Sequence, residues 1–323
     1  MANRVLSPVE SRVLQYVARR GLLESERQVA EALRLNHSTV NYIVRKFERE
    51  RIIQRYKYRL DSRLVNLPQL VWVFVSLKLN RFDIDEFISR LFKHPRVRIV
   101  FIVTGDYDLA FKMHARSTEE IIEFMLGIEK EFHHWINGSS IFFVNKSFKQ
   151  HGKPVGEFDS SFRLSKLDRD VLRLKLADPE LSLNAVAANL GVHRNTVSTR
   201  WGRLLGEKVV VKKTAIISPD YYGPAGVNFQ AIVFLDAVPG RTEELARQLV
   251  QFEQVHEVNM ISAPHDLMMT VKVADLDAYF EFSSTFFKQP EFNRLITKIK
   301  SCVILRGRPS PVTYFYELNG LPD

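Results

Sequence analysis

The hydrophobic positions of the first 50 residues recur at helical spacing. A helix predicted over about residues 37–51 has one apolar face, because residues three, four and seven apart lie together: Val40, Ile43, Val44 and Phe47. Two shorter helical patterns precede it, one that begins at Ser7 with Glu10 in capping-box position and one over residues 26–33. A tight turn at 34–35 separates the second helix from the third. This order predicts a helix-turn-helix domain.

Beyond residue 53 the pattern changes to the two-residue period of strands. Residues 55–60 are a predicted connecting strand, and the elements after it alternate: strand 70–79, helix 82–92, strands 97–103 and 108–114, helix 118–132 and strand 136–148. The order β-α-β-β-α-β is that of a ferredoxin-like domain.

The second half of the chain repeats the first. Residues 186–204 align with 29–47 at an offset of 157, and residues 262–271 align with 104–113 at an offset of 158. The predicted fold class is therefore α+β, with two copies of a three-helix helix-turn-helix domain followed by a ferredoxin-like effector and assembly domain. The predicted boundaries are 1–62 and 63–148 for copy one, 149–161 for a linker, 162–218 and 219–307 for copy two, and 308–323 for a C-terminal tail.

Positive charge is concentrated in the two helix-turn-helix segments. The net charge of the 323 residues is +9. Residues 1–60 hold 13 Lys and Arg against 6 Asp and Glu, residues 162–215 hold 11 against 5, and the remainder holds 22 against 26. Because DNA attracts such segments by counterion release, this distribution favours double-stranded DNA as a partner.

The polar faces of the two third helices carry the predicted DNA-binding residues. Hydrogen-bond donors and cations on such a face suit base edges and phosphates in a major groove. Copy one contributes Asn36, Ser38, Thr39, Asn41, Tyr42, Arg45, Lys46 and Arg49. Copy two contributes Arg194, Asn195, Thr196, Ser198, Thr199, Arg200 and Arg203.

Each half resembles the Lrp/AsnC (feast/famine) transcription regulators. The similarity is carried by the recognition region at 29–53 and by the stretch TGDYDL at 104–109. It implies a cytoplasmic regulator that assembles through its effector domains and binds a small, amino acid-like effector near this loop. The effector residues that it implies are Gly105, Asp106, Tyr107 and Asp108.

The sequence departs from the family in three respects. The unit occurs twice, Arg34 stands where a turn glycine is usual, and copy two has Ala263-Pro264 in place of the loop glycine. Two other functions stay open: a fused enzyme similar to siroheme decarboxylases, whose typical His-Cys-Tyr-Arg stretch is replaced by 103–107, and an architectural DNA-binding protein. The main interpretation is a regulator that is not an enzyme.

Other chemistry finds little support in the sequence. The single cysteine, Cys302, allows no internal disulfide, and no apolar run is long enough to span a membrane. His114, His151 and His265 are scattered, and the adjacent pair His133-His134 has no ligand pattern around it. The sequence therefore predicts no cofactor, no metal site and no membrane association.

The strands predicted at 70–79 and 229–237 are too apolar to remain exposed. A second effector domain is available in the same chain to cover them. We therefore expect a pseudo-dimer within one chain, which self-associates through its sheet faces to a dimer or larger.

Overall fold

A computed structural model describes residues 4–21, 26–65, 67–78, 83–156, 162–262 and 264–310. Its helices are α1 Pro8–Arg20, α2 Glu26–Leu33, α3 His37–Arg49, α4 Ile84–Leu91, α5 Thr118–Phe132, α6 Lys166–Ala177, α7 Leu183–Leu190, α8 Arg194–Gly206, α9 Thr242–Leu249, α10 Leu276–Lys288 and α11 Pro290–Asn293. The capping box predicted at the start of α1 forms between Ser7 and Glu10, and an equivalent one forms at the start of α6 between Ser165 and Asp168.

The strands follow the predicted order in both copies. The predicted α+β fold class with a duplicated unit is therefore confirmed. They are β1 Ile53–Leu60, β2 Gln69–Leu77, β3 Val97–Val103, β4 Leu109–Ala115, β5 Ile136–Gln150, β6 Lys153–Pro154, β7 Val210–Ile217, β8 Phe229–Ala237, β9 Val255–Ile261, β10 Leu267–Val273 and β11 Ile296–Pro309.

The two ferredoxin-like sheets join edge to edge and close into a barrel. Each copy forms a four-stranded antiparallel sheet, β5-β2-β4-β3 in copy one and β11-β8-β10-β9 in copy two. Two antiparallel seams connect them, β3 with β11 and β5 with β9. Because both edges of each sheet are paired, the eight strands form a closed ring with no free edge.

The alternation along each strand builds separate cores on the two sides of the ring. The outer faces pack under α4 and α5 in copy one and under α9 and α10 in copy two. The inner faces of both copies share one core, which includes Trp72, Phe74, Phe142, Phe234 and Met268. The rings of Phe74 and Phe234 lie 5.3 Å apart at their centroids, so the copies interlock through aromatic contacts.

This arrangement contains the expected pseudo-dimer, but it changes how further assembly can occur. Within the described residues, the sheet faces are already covered by helices outside and by the other copy inside. Self-association through sheet faces stays a prediction, which these buried faces do not favour. Exposed apolar side chains lie on the outer helices, with Ile122 and Leu126 on α5 and Leu276 and Phe280 on α10, and also on β11, at Ile299 and Leu305.

The segments between and after the copies differ from the predicted boundaries. The predicted linker at 149–161 begins inside β5, which continues to Gln150 and returns as β6; residues 157–161 lie outside the described residues. The predicted tail at 308–323 likewise begins inside β11, and its residues 311–323 lie outside the described residues. Longer strands at these places extend the pairing of the barrel.

The two helix-turn-helix units are joined by strands that exchange between them. The connecting strands β1 and β7 pair with each other in an antiparallel two-stranded sheet. Ala215 and Ile217 of β7 complete the core under α1–α3, and Tyr58 and Leu60 of β1 complete the core under α6–α8. Each recognition helix is thus supported by residues of both copies.

No helix within the described ranges is long and apolar enough to cross a membrane.

The shared inner core predicts that the two copies unfold together. Phe74→Ala removes a fully buried ring that contacts Phe142 and Phe234, so we expect the free energy of unfolding to fall by about 3–5 kcal/mol. Lys130→Ala, at an exposed position of α5, is the control and should change it by less than about 0.5 kcal/mol. Denaturant unfolding followed by circular dichroism measures both. Two separate transitions, of which only one shifts with Phe74→Ala, would contradict a single cooperative barrel.

Candidate nucleic-acid interface and effector loop

The first recognition helix, α3, buries its apolar face and leaves a polar face in solvent. Val40, Ile43, Val44 and Phe47 are buried, as predicted. Tyr42 is 59% exposed. Of the other predicted DNA-binding residues, Asn36, Ser38, Arg45 and Arg49 are exposed and Thr39, Asn41 and Lys46 are half-buried. Asn36 occupies the N-cap position, but its side chain makes no capping hydrogen bond, so its amide is available to a ligand.

The second recognition helix, α8, has the same design with different side chains. Val197 and Leu204 are buried. Arg194, Asn195, Thr196, Thr199 and Arg203 are exposed, whereas Ser198 and Arg200 are half-buried. The N-cap is His193, whose Nδ1 accepts the Asn195 backbone N–H at 3.2 Å.

The turns before the two helices share one backbone conformation despite different residues. Gly191 has φ +64° in copy two, and Arg34 has φ +53° at the equivalent place in copy one. Left-handed backbone is costly for a residue with a Cβ. Arg34 therefore adopts the conformation that glycine usually supplies here.

An acidic residue of the first helix binds a cation of the recognition helix in both copies. Glu10 accepts hydrogen bonds from Lys46 Nζ at 3.0 Å and from Arg4 at 2.5 Å. Asp168 is fully buried and accepts from Arg203 Nη1 at 2.9 Å, while Arg200 Nη1 lies 3.8 Å from its other oxygen. These ion pairs fix the recognition helix against the first helix.

The pairs divide the predicted DNA-binding cations into two groups. Lys46, Arg200 and Arg203 are engaged with buried or half-buried carboxylates. Arg45 bonds to Glu48 on its own helix at 3.2 Å, a contact that solvent weakens. Arg49 and Arg194 are exposed and make no ion pair within the described residues. The sequence could not make this distinction, because it depends on which carboxylates the fold brings near.

The predicted effector loop lies between β3 and β4 and is held at several points. Gly105 has φ +111°, which glycine adopts readily, although a Cβ there would meet Cys302 Sγ only at an ordinary 3.6 Å. Asp106 forms an ion pair with Lys300 of copy two. The Tyr107 hydroxyl donates to Ser140 Oγ at 3.2 Å.

Asp108 has a structural contact in this loop. Its carboxylate accepts the backbone N–H of Leu77 at 2.7 Å. Asp266, its counterpart in copy two, accepts the backbone N–H of Ala237 at 2.8 Å. In both copies this aspartate connects the start of one strand to the end of another, so it positions the loop.

The second loop has different chemistry from the first. Ala263 lies outside the described residues. His265 bonds through Nδ1 to Asp236 at 2.6 Å and stacks on Phe234 at 5.0 Å between centroids. An imidazole therefore stands beside the interior of the barrel in copy two, where copy one has Tyr107 over Phe74.

Two histidines that are distant in the sequence meet in the structure. His151 follows β5 and His256 lies in β9, and their ring centroids are 6.3 Å apart. With Glu257 they offer ligand atoms within 4.8 Å of one another. The sequence gives His151 no identifiable partner, because it does not show that β5 pairs with β9 across the copies.

Comparison with known proteins agrees with the duplicated fold. The family described as the Lrp/AsnC ligand binding domain matches residues 72–154 and again 230–307. An uncharacterised HTH-type transcriptional regulator of Pyrococcus horikoshii is 31% identical over 119 residues, which are 37% of this chain and 73% of the relative. The chain belongs to the Lrp/AsnC family. The HTH-type transcriptional regulator FL11 of the same organism is 26% identical over 99 residues, 31% of this chain and 64% of the relative.

A solved structure matches this Lrp/AsnC chain along nearly its whole length. The siroheme decarboxylase NirDL superposes with a TM-score of 0.60 over 95% of this chain and 96% of that one, at 12% identity. The likeness shows a common fold. The expectation that such a chain is not an enzyme is therefore wrong, because an enzyme is built on the same double unit.

The ion pairs predict different roles for two arginines of α8. Arg203→Ala leaves the buried Asp168 carboxylate without its closest cationic partner, so we expect the free energy of unfolding to fall by about 1–3 kcal/mol. Arg194→Ala should leave stability nearly unchanged, because its side chain is exposed. Denaturant unfolding compares the two variants. Equal stability of both would show that the Asp168 pair does not hold α8.

The Glu10 pair predicts an acid-dependent contribution to stability. Burial raises the pKa of the Glu10 carboxyl, but hydrogen bonds from Ser7 and Lys46 and the charge of Arg4 outweigh it and lower the pKa to about 2. The carboxylate thus stabilises the fold above pH 4.5, and this contribution is lost as the pH falls from 4.5 to about 2. The stability difference between the wild type and Glu10→Gln should shrink over that interval. A constant difference from pH 7 to pH 2 would refute this.

Proposed function

We propose that this protein is a sequence-specific DNA-binding transcription regulator of the cytoplasm, whose two helix-turn-helix units bind one DNA duplex as a fixed pair. The observation that carries the proposal is the exchange of β1 and β7, by which each recognition helix rests on residues of the other copy. A fixed pair loses less freedom on binding than two tethered domains. The basic surplus of both units supports DNA as the partner.

The exposed faces of α3 and α8 supply the proposed contacts. Arg49 and Arg194 are the cations best placed to meet phosphate or guanine. Tyr42 and Asn195 offer further base or sugar contacts. Lys46, Arg200 and Arg203 act mainly by holding the helices in position, and they contribute positive potential to the same surface.

The two half-sites of the operator should differ. At an offset of 157, Tyr42 corresponds to Thr199, Arg45 to Gly202 and Arg49 to Gly206. Copy one therefore has cations at the end of its helix where copy two has glycine. An asymmetric pseudo-palindrome fits this pair better than a perfect one.

Ligand binding and self-association are assigned to the effector loop and to the outer helices, respectively. The loop at Gly105, Asp106 and Tyr107 is the proposed site for an amino acid-like ligand, with the Asp106–Lys300 pair able to exchange for ligand charges. Self-association would use the apolar side chains exposed on α5 and α10.

A tetrapyrrole-binding function is the second candidate, because the whole-chain fold is shared with NirDL. Titration with siroheme or haem tests it. A Soret band that shifts with saturation at stoichiometric ligand would favour this candidate, and an unchanged ligand spectrum would favour the regulator. An architectural role would instead show equal affinity for operator and random duplex DNA.

The DNA proposal predicts how two exposed arginines act. Fragments selected from genomic DNA by the protein supply the operator, and fluorescence anisotropy measures its affinity. Arg49→Ala and Arg194→Ala should each weaken binding by about 1–3 kcal/mol where a base contact is lost. Lys298→Ala, on the outer part of β11, is the control and should bind normally. Unchanged affinity in the Arg49/Arg194 double variant at low salt would refute the assigned interface.

A further inference from the structure

Basic side chains gather between one end of the barrel and the β1–β7 sheet. They come from β1, β4, β7, β9, β10 and the turn after β5, and we name them the basic cluster: Arg59, Lys112, His114, His151, Lys212, His256 and Lys272. The effector loop and its counterpart precede β4 and β10, whose opposite ends carry His114 and Lys272. The cluster therefore lies at the end of the barrel away from both loops.

Negative charge at the cluster is scarce. Glu257 is the one carboxylate among the described groups that raise the pKa of a cluster residue, and Lys112 Nζ binds both of its oxygens at 2.5 Å. Lys212 is 1% exposed, and within the described residues it donates only to backbone carbonyls, those of Arg19 and His151. The side chains of Arg59 and Lys272 make no hydrogen bond or ion pair within the described ranges. Buried cations without counterions are costly.

The barrel interior beside the cluster adds hydrogen-bond donors without acceptors. Trp72 Nε1, Asn259 Nδ2 and Thr270 Oγ1 are buried and have no partner within the described residues. Lys112 Nζ lies 4.7 Å from the centre of the Trp72 ring, and Thr270 is paired with Glu257 across β10 and β9. Buried polar atoms of native proteins usually have partners. For Trp72 and Asn259 the missing partner is an acceptor, and the Thr270 hydroxyl can also donate to one.

The pKa values of several cluster residues are lowered by burial and by the same excess of positive charge. Burial, followed by the charges of Lys272 and Arg59, lowers the pKa of Lys212 to about 7. Burial lowers the pKa of Lys272 to about 8. The imidazoles of His151 and His256 have pKa values well below the usual range, first through burial and then through the neighbouring lysines. A bound anion would relieve each of these costs.

The same place offers a metal geometry, which its charges oppose. His151, His256 and Glu257 could donate three ligand atoms. However, Glu257 is held by Lys112, and Lys212 and Lys272 act on the histidines as positive charges. A divalent cation would have to displace the ammonium and remain among like charges.

We propose that the basic cluster is a binding site for a small oxyanion with at least two negative charges, carried by phosphate or carboxylate groups. Ammonium and guanidinium groups pair well with such anions. Arg59, His256 and Lys272 are only partly buried, so a small ligand can reach them from solvent. The donors of Trp72 and Thr270 lie on the barrel side.

This site connects the barrel to the recognition helices, a consequence that rests on the proposed function. Arg59 and Lys212 belong to β1 and β7, the strands that complete the helix-turn-helix cores. Lys212 also bonds to the last residues of α1 through the Arg19 carbonyl. An anion that binds these side chains would therefore change the relative orientation of the two helix-turn-helix units.

Thermal unfolding of the full chain without DNA tests the site directly. The probes are sodium phosphate, pyrophosphate and citrate, each compared with sodium chloride at equal ionic strength. We expect a saturable rise of the melting midpoint with at least one probe, since a ligand of the folded state stabilises it. Comparing pyrophosphate with citrate distinguishes phosphate from carboxylate ligands. No probe effect beyond that of chloride would overturn the proposal.

Two variants separate a binding role from a structural one. Lys272→Met removes a half-buried cation, so it should raise the melting midpoint of the free protein and abolish the probe-dependent rise. Arg59→Met is the second variant, with the same loss of the probe response expected. Lys298→Met, at an exposed lysine, should retain the full response. A full response in both cluster variants would refute the site.

Two further measurements complete the test. Zn²⁺ that stabilises the protein at stoichiometric concentration, while the anions have no effect, would replace the anion site by a metal site. DNA affinity measured with and without the active probe should change in the wild type and not in Lys272→Met. If the protein binds the anion but has no affinity for DNA, the proposed function is refuted and the anion site is retained. If the protein binds DNA but shows no response to any anion, the anion site is refuted and the proposed function is retained.

Discussion

The seams of β3 with β11 and β5 with β9 hold the two copies together, and the rest of the molecule depends on them. A four-stranded sheet with helices on one face leaves the other face and two edges to be covered. Here each copy covers the open sheet face and the two sheet edges of the other copy. The aromatic side chains of the two inner faces form one core. Closure of the barrel also brings β1 and β7 together, and these strands pair with each other. The relative position of the two helix-turn-helix units therefore depends on the barrel.

Covalent fusion allows the two copies to diverge while the pairing is kept. A homodimer must repeat each substitution in both subunits, whereas here Glu257 and Asn259 line the barrel from β9 where Ile99 and Phe101 stand in β3. The basic cluster is also asymmetric between the copies, because Lys112 of β4 corresponds to Thr270 and Lys272 of β10 corresponds to His114. The two loops have diverged in the same way, with Tyr107 in one and His265 in the other.

The sequence predicts the elements well, because their periodicity is local. The strands at 97–103 and 229–237 and the helix at 118–132 have the predicted kind and place. What it does not predict is which side chains meet across the copies. Lys46 and Arg203 have the pattern of DNA contacts, and only the position of Glu10 and Asp168 shows that they are held internally. His151 and His256 are 105 positions apart and become neighbours through the β5–β9 seam.

The likeness to a decarboxylase and the family of transcription regulators are compatible once fold and site are separated. A closed barrel with helix-turn-helix units is a scaffold, and its function depends on the side chains at its two ends and on its DNA-facing helices. In this chain the interior between those ends is filled by Trp72, Phe74, Phe142 and Phe234, all nearly inaccessible to solvent. A large planar ligand would have to displace these rings, whereas a small ligand at either end would not. The filled interior thus favours small effectors and a regulatory use of the scaffold.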